Sequence, residues 1–181
     1  VPFDQINDSR TDLENTDLAV IGNAIPKFYA SWNNTVTYKN IDLRVFFRGR
    51  FGYEVLNTTE LSYGNRVALP NNVLESAFGT HADLKDTYMY SDYYLENGSF
   101  VKLDEVTLGY TFKLNTTRLR NFRIYITGQN LATFTSYSGN DPDFILDNGF
   151  GNEINGKRLG LDPRSPYPST RSFLVGLNIG F

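Results

Sequence analysis

The sequence predicts an all-β chain of long antiparallel strands, on three observations. Apolar residues recur at every second position in five separate stretches. The second stretch is much longer than an ordinary globular strand. Short and long connections alternate strictly along the chain. A period of two puts successive side chains on opposite faces of a sheet, so each stretch reads as a strand with one apolar and one polar side.

The first strand is predicted near 27–38, with Phe28, Ala30, Trp32, Val36 and Tyr38 opposing Tyr29, Ser31, Asn33, Thr35 and Thr37; Asn34 interrupts its apolar side. Tyr38-Lys39-Asn40-Ile41 reads as a tight turn. The second strand, 41–57, sets Ile41, Leu43, Val45, Phe47, Phe51, Tyr53 and Val55 against Asp42, Arg44, Arg48, Arg50 and Glu54. Its alternation runs for roughly 15 residues, where globular strands usually have about 5–6. The third, 99–114, opposes Val106, Leu108, Tyr110, Phe112 and Leu114 to Glu105, Thr107, Gly109, Thr111 and Lys113. After a short turn, the fourth, 121–135, opposes Phe122, Ile124 and Ile126 to Arg123, Tyr125, Thr127 and Gln129. The last, 171–181, carries Phe173, Val175, Leu177, Ile179 and Phe181 on one side. A helical period is confined to one or two turns within 69–77. The remaining connections, 58–98 and 136–170, are rich in Asn, Gly, Asp, Pro and Tyr, and connections of that length are usually functional.

Composition narrows the function. Seventeen Lys and Arg stand against 20 Asp and Glu, a formal net charge of −3, so the basic signature of a nucleic-acid binder is missing. With no cysteine, disulfides, thiol nucleophiles and Cys-ligated zinc are excluded; one histidine, His81, excludes any two-histidine site. No window approaches the roughly 18 apolar residues of a membrane helix. A membrane β-barrel fits, because alternating strands keep mean hydropathy low, here −0.36. Short turns at one rim and long loops at the other is the outer-membrane barrel layout, and the aromatics near strand ends fit its girdles. Five strands cannot close such a barrel, and an open sheet in lipid leaves edge amides unsatisfied. The sequence therefore describes either a soluble β-sandwich, a carbohydrate-binding or adhesion module, or the C-terminal part of a larger barrel. The start at Val1-Pro2-Phe3, with no signal peptide, reads as a processed or internal point of a longer protein.

Four stretches resemble the C-terminal region of SusC/RagA-type TonB-dependent outer-membrane transporters. They are Ile21-Gly22-Asn23-Ala24-Ile25-Pro26-Lys27-Phe28; Asn33-Asn34-Thr35-Val36-Thr37-Tyr38-Lys39-Asn40-Ile41-Asp42-Leu43; Gly98-Ser99-Phe100-Val101-Lys102-Leu103-Asp104-Glu105-Val106-Thr107-Leu108-Gly109-Tyr110; and Ile124-Tyr125-Ile126-Thr127-Gly128-Gln129-Asn130-Leu131, leading to Tyr137-Ser138-Gly139-Asn140-Asp141-Pro142. Pro166-Tyr167-Pro168-Ser169-Thr170-Arg171-Ser172-Phe173 is similar too. The resemblance implies a barrel of about 22 strands with a plug, of which this chain supplies the last five. It also implies a location in the outer membrane of a Gram-negative bacterium, a SusD-like surface lipoprotein over the mouth, and energy from TonB acting through the plug. The plug and the remaining barrel lie outside these residues. Nutrient import of oligosaccharides or oligopeptides is the implied function, with no enzyme activity and no cofactor.

Candidate residues fall into three groups. Arg44, Arg48, Arg50, Glu54, Glu105 and Arg123, with Lys113, occupy polar faces that would line a lumen, either contacting solute and plug or forming a solvated wall. In the long loops, Tyr88, Tyr90, Tyr93, Tyr94, Tyr137, Asp141 and Tyr167 join aromatic planes to polar groups, as sugar rings, peptides or a lid would require. Self-packing of the loops accounts for them equally well. Phe173, Val175, Leu177, Ile179 and Phe181 resemble the strand read by the barrel-assembly machinery, and they are also ordinary lipid-facing positions. Asp141, Asp143 and Asp147 lack EF-hand spacing, so no metal is expected. His81 is expected at the surface.

Overall fold

A computed structural model describes residues 20–84, 91–114, 121–143, 160–162 and 168–180. The chain divides into two compact units: Phe28–Phe51, Phe100–Thr135 and Pro168–Phe181 form one, and Val1–Lys27, Gly52–Ser99 and Ser136–Tyr167 form the other.

The first unit is a five-stranded antiparallel sheet of β1 (Phe28–Tyr38), β2 (Ile41–Phe51), β5 (Phe100–Lys113), β6 (Asn121–Thr135) and β7 (Ser172–Gly180), in that order across the sheet. β1 and β2 meet through a two-residue turn in which Lys39 takes φ +57°, the positive φ that hairpin turns require. Arg50, Phe100 and Thr135 are register partners, so both long connections leave from one end of the sheet and the short turns lie at the other.

Register puts the apolar positions of all five strands on one side. Tyr38, Ile41, Tyr110, Ile124 and Leu177 form one cross-strand row, and Val36, Leu43, Leu108, Ile126 and Val175 form the next. The sequence parity of β5 conflicts with this: Leu103 is odd, whereas Val106 and Leu108 are even. A bulge resolves the conflict. Phe46 pairs Glu105 and Phe47 pairs Leu103, leaving Asp104 as an extra residue that resets the alternation. β6 matches it with two extra residues, Asn130 and Leu131, and Asn130 sits at φ +53°.

This apolar side is exposed rather than packed. Val175 is 73% accessible, Phe173 70% and Trp32 54%, and Leu108 and Ile126, in the middle of the sheet, remain exposed. A sandwich would need a second sheet covering these positions.

In the second unit, β3 (Glu54–Leu56) pairs with β4 (Leu95–Asn97). The helix α1 (Thr58–Tyr63) follows β3, its first turn capped by the Asn57 side chain, which accepts from the Glu60 N–H at 2.9 Å. Leu56, Leu61 and Tyr94 form its core, with Leu84, Leu95 and Leu161 against them. Short 3₁₀ turns cover Arg66–Ala68, Glu75–Ala77 and Asp92–Tyr94.

The expected strand at 41–57 is thus divided. β2 stops at Phe51 because Gly52 adopts φ +73°, and the chain enters a different sheet. The expected loop 58–98 contains α1 and β4, and helical structure falls at Thr58–Tyr63 rather than being confined to 69–77.

Candidate functional site

The polar side of the five-stranded sheet is laced with ion pairs. Arg44 on β2 donates from Nε to Asn33 Oδ1 on β1 at 3.2 Å and lies 3.5 Å from Glu105 on β5. Arg48 pairs with Asp104, the bulged residue, whose displacement brings it within reach. Arg123 on β6 holds Asp42 on β2 through Nε–Oδ1 at 2.9 Å and Nη2–Oδ2 at 2.5 Å. Between these two strands runs β5, and the residue beneath the pair is Gly109, where a Cβ would come within 2.5 Å of both partners. Tyr125 lies over Gly176 in a similar way, and Arg123 stacks above the Tyr125 ring at 4.7 Å.

Towards the end with the long connections, three cations gather about one ring. Arg48 and Arg50 lie 5.9 Å and Lys102 5.7 Å from the centre of Phe100, which is buried. Arg50 also faces Tyr29 at 5.8 Å. The predicted lumen candidates Arg44, Arg48, Arg50, Glu105 and Arg123 therefore share one side of one sheet. Glu54 does not join them. It sits in β3 of the other unit and accepts from the Asn23 N–H at 2.9 Å, because the strand that would have carried it ended at Gly52. Asp42, Asp104 and Lys102 were missed as site residues; Asp104 became visible only through the bulge.

A second polar cluster is built in the other unit. Glu96 accepts from Asn57 Nδ2 at 2.9 Å and from the Ser138 N–H and hydroxyl, each at 2.7 Å. Beside it, the Tyr137 hydroxyl donates to Asp162 Oδ2 at 2.5 Å, and Thr58 donates its hydroxyl to the Asp162 carbonyl. Burial pushes the Tyr137 phenol far above its ordinary range, reinforced by the Asp162 carboxylate, so it stays a donor. Burial also raises the Asp162 carboxyl; the Tyr137 hydrogen bond opposes this and Glu96 adds to it. The cluster ties four places distant in sequence into one polar core: 57–58, 96, 137–138 and 162.

The loop aromatics are placed unequally. Tyr94 and Tyr137 are buried at 6% and 5% accessibility, so both serve internal packing. Burial, followed by Tyr93 and Glu60, raises the Tyr94 phenol. Tyr93 is exposed and meets His81 Nδ1 through its hydroxyl at 2.8 Å, while His81 Nε2 is 3.3 Å from Glu60. His81 is thus packed against Tyr93, Tyr94 and Glu60 rather than lying loose on the surface. Asp141 accepts from the Asp143 N–H at 2.9 Å, an Asx turn. Tyr88, Tyr90, Asp147, Tyr167 and Phe181 lie outside the described residues.

No family model matches the chain. Among curated proteins it is 34% identical to TonB-dependent receptor P3 of Formosa agariphila over 96% of its length and 18% of the relative's. It is 35% identical to TonB-dependent receptor SusC of Bacteroides thetaiotaomicron over 50% of its length and 8% of that protein's. In fold it is similar to the RagAB peptide importer in its open-open state, with a TM-score of 0.60 and 17% identity over 87% of this chain and 17% of that one. A second RagAB structure, in the closed-closed state, also gives 0.60, at 18% identity. The chain spans about 18% of the length of the curated relatives that it matches over nearly its whole length. Sequence and fold agree: the chain belongs to the TonB-dependent receptors, and it matches a part of their length.

Proposed function

We propose that this chain is a stretch of barrel wall, the last five strands, in an outer-membrane TonB-dependent nutrient importer of a Gram-negative bacterium. The apolar side of the sheet faces lipid and the ion-paired side faces the lumen. The observation that carries this reading is the exposed apolar side, kept continuous through five strands by a bulge. The 11 residues of β1 extend roughly 34 Å, and a tilt of about 40° reduces this to about 26 Å of height. That height matches the roughly 25 Å apolar band of outer-membrane barrels. Aromatic contacts at both ends of the strands, Phe28 on Phe51 at 4.7 Å and Tyr110 on Phe112 at 4.6 Å, fit the two interfacial girdles.

In this reading the long connections are extracellular loops that shape the solute cavity beneath a SusD-like lipoprotein. Transport is binding followed by gated translocation, without covalent chemistry, driven by TonB through a plug contributed by the rest of the protein. The solute is an oligosaccharide or an oligopeptide. The structural neighbour RagAB is a peptide importer, which supports the second class. Uptake assays with each class decide between them.

The orientation of the wall is tested with nitroxide labels at 43, 108 and 126 and at 44 and 107 in the full-length transporter in vesicles. The first set is expected to collide with dissolved oxygen and the second with a water-soluble nickel chelate. Equal exposure of both sets to the chelate would overturn the reading.

A further inference from the structure

The cations on the polar side of the sheet crowd together near the end from which the long connections leave. Register sets Arg48 on β2 directly opposite Lys102 on β5, and one pleat further on Arg50 stands opposite Phe100. Like charges facing each other across a strand pair cost stability, so strand pairing by itself does not favour this placement. Asp104 answers Arg48, the bulge having brought it to that side. Lys102 is 3% accessible, with its ammonium 5.7 Å from the centre of the Phe100 ring, so its charge has a fixed place in the sheet. Arg50 is partly exposed and is flanked by two rings of its own cross-strand row, Phe100 at 5.9 Å and Tyr29 at 5.8 Å. Tyr29 is itself exposed.

Contact with an aromatic ring uses none of a guanidinium's five N–H donors. Arg50 can therefore take a carboxylate through two parallel hydrogen bonds alongside its other partners, and that geometry is the one arginine matches best. We propose that Arg50, backed by Arg48 and Lys102, is a subsite for a carboxylate carried by the solute, with the Tyr29 ring beside it. The inference rests on the polar side facing the lumen of an importer, and it adds that the solute is acidic. A uronic-acid oligosaccharide and a peptide bearing Asp or Glu present the same group to it.

The test uses the full-length protein extracted from outer membranes in mild detergent, with equilibrium dialysis against two matched pairs of probes. One pair is an oligogalacturonate and a neutral galacto-oligosaccharide of equal length; the other is an Asp-bearing peptide and the same peptide with Asn. In one pair the acidic member is expected to bind about tenfold more tightly or more, and that pair identifies the source of the carboxylate. Arg50→Gln is expected to bring the pair to parity. Arg50→Lys, which keeps the charge and loses the fork, is expected to lower the preference about threefold, and it decides the matter where Arg50→Gln does not assemble. Lys39→Gln removes a cation at the short-turn end and is expected to leave the preference unchanged. No acidic preference in either pair overturns the subsite. A preference that survives both Arg50 variants, or falls equally in Lys39→Gln, overturns it too. A wild-type protein found in the aqueous fraction overturns the lumen-facing reading together with the subsite, whereas outer-membrane protein without the preference removes the subsite alone.

Discussion

Arg123 grips Asp42 across an intervening strand, and the residue that lets it do so is Gly109. The two carboxylate contacts, 2.9 and 2.5 Å, pass over a backbone position where a methyl group would lie 2.5 Å from both partners. Side chains two strands apart are ordinarily beyond pairing distance, since neighbouring strands are about 4.8 Å apart. The pair therefore stitches β2, β5 and β6 together.

Gly109→Ala is expected to break this contact and to lower the sheet's resistance to thermal unfolding. Both partners are about a quarter exposed, which keeps the expected loss to about 1–2 kcal/mol. Heat-modifiable gel mobility of the full-length protein measures it. In a double-mutant cycle, Asp42→Asn should cost little more once Gly109 is replaced; full additivity would mean that glycine acts elsewhere.

Alternation across the sheet makes neighbouring positions opposite in consequence. Leu108→Arg and Ile126→Arg place a charge on the exposed apolar side and are expected to destabilise by about 2–4 kcal/mol near mid-membrane. Thr107→Arg, on the polar side, should be tolerated. Outer-membrane levels of the three variants provide the comparison, and equal levels would contradict the assignment of faces.

Asp104 has two separable roles. Asp104→Ala removes the partner of Arg48 but keeps the bulge, so moderate destabilisation is expected. Deletion of Asp104 removes the extra residue with its carboxylate: Leu103 and Val101 keep the apolar side and the pairing with β2 becomes regular, but Asn130 and Leu131 of β6 lose the bulge that faces them. The deletion is expected to assemble but to lose more protease resistance than Asp104→Ala, measured on the full-length protein. Similar behaviour of the two variants would show that the ion pair, not the bulge, matters.

The buried Asp162 gives the second unit a defined pH response. Its carboxyl is raised in the folded state, so folding favours the protonated form. Below the ordinary value of 3.8 both states hold the proton, and no penalty arises. As pH rises from there through the raised folded value, ionisation progressively destabilises the cluster. Asp162→Asn should therefore gain protection relative to wild type as pH increases, while the amide oxygen still accepts from Tyr137. Tyr137→Phe, by contrast, leaves a buried acceptor unsatisfied and should cost about 1–3 kcal/mol. Limited proteolysis of the full-length protein across pH 4 to 8 resolves both effects; a difference between wild type and the Asp162→Asn variant that stays constant with pH would discount the carboxyl.

The sequence alone determined the strands and their two faces. Period-two alternation is a local property, and side chains such as Leu43, Leu108, Ile124 and Val175 declare their side without knowledge of their neighbours. The polar positions Arg44, Glu105 and Arg123 were legible for the same reason. Tertiary structure decided what depends on pairing and on backbone conformation at single residues. Gly52 at positive φ ends β2 and carries Glu54 away from the sheet. The bulge at Asp104 reconciles two opposed parities within β5. Asp42 reaches Arg123 only because register sets Gly109 between them. In the loops, Tyr93 and Tyr94 adjoin in sequence yet differ in exposure, and Tyr137 turns inward to Asp162, because burial there follows from contacts between segments far apart in the chain, which no local pattern encodes.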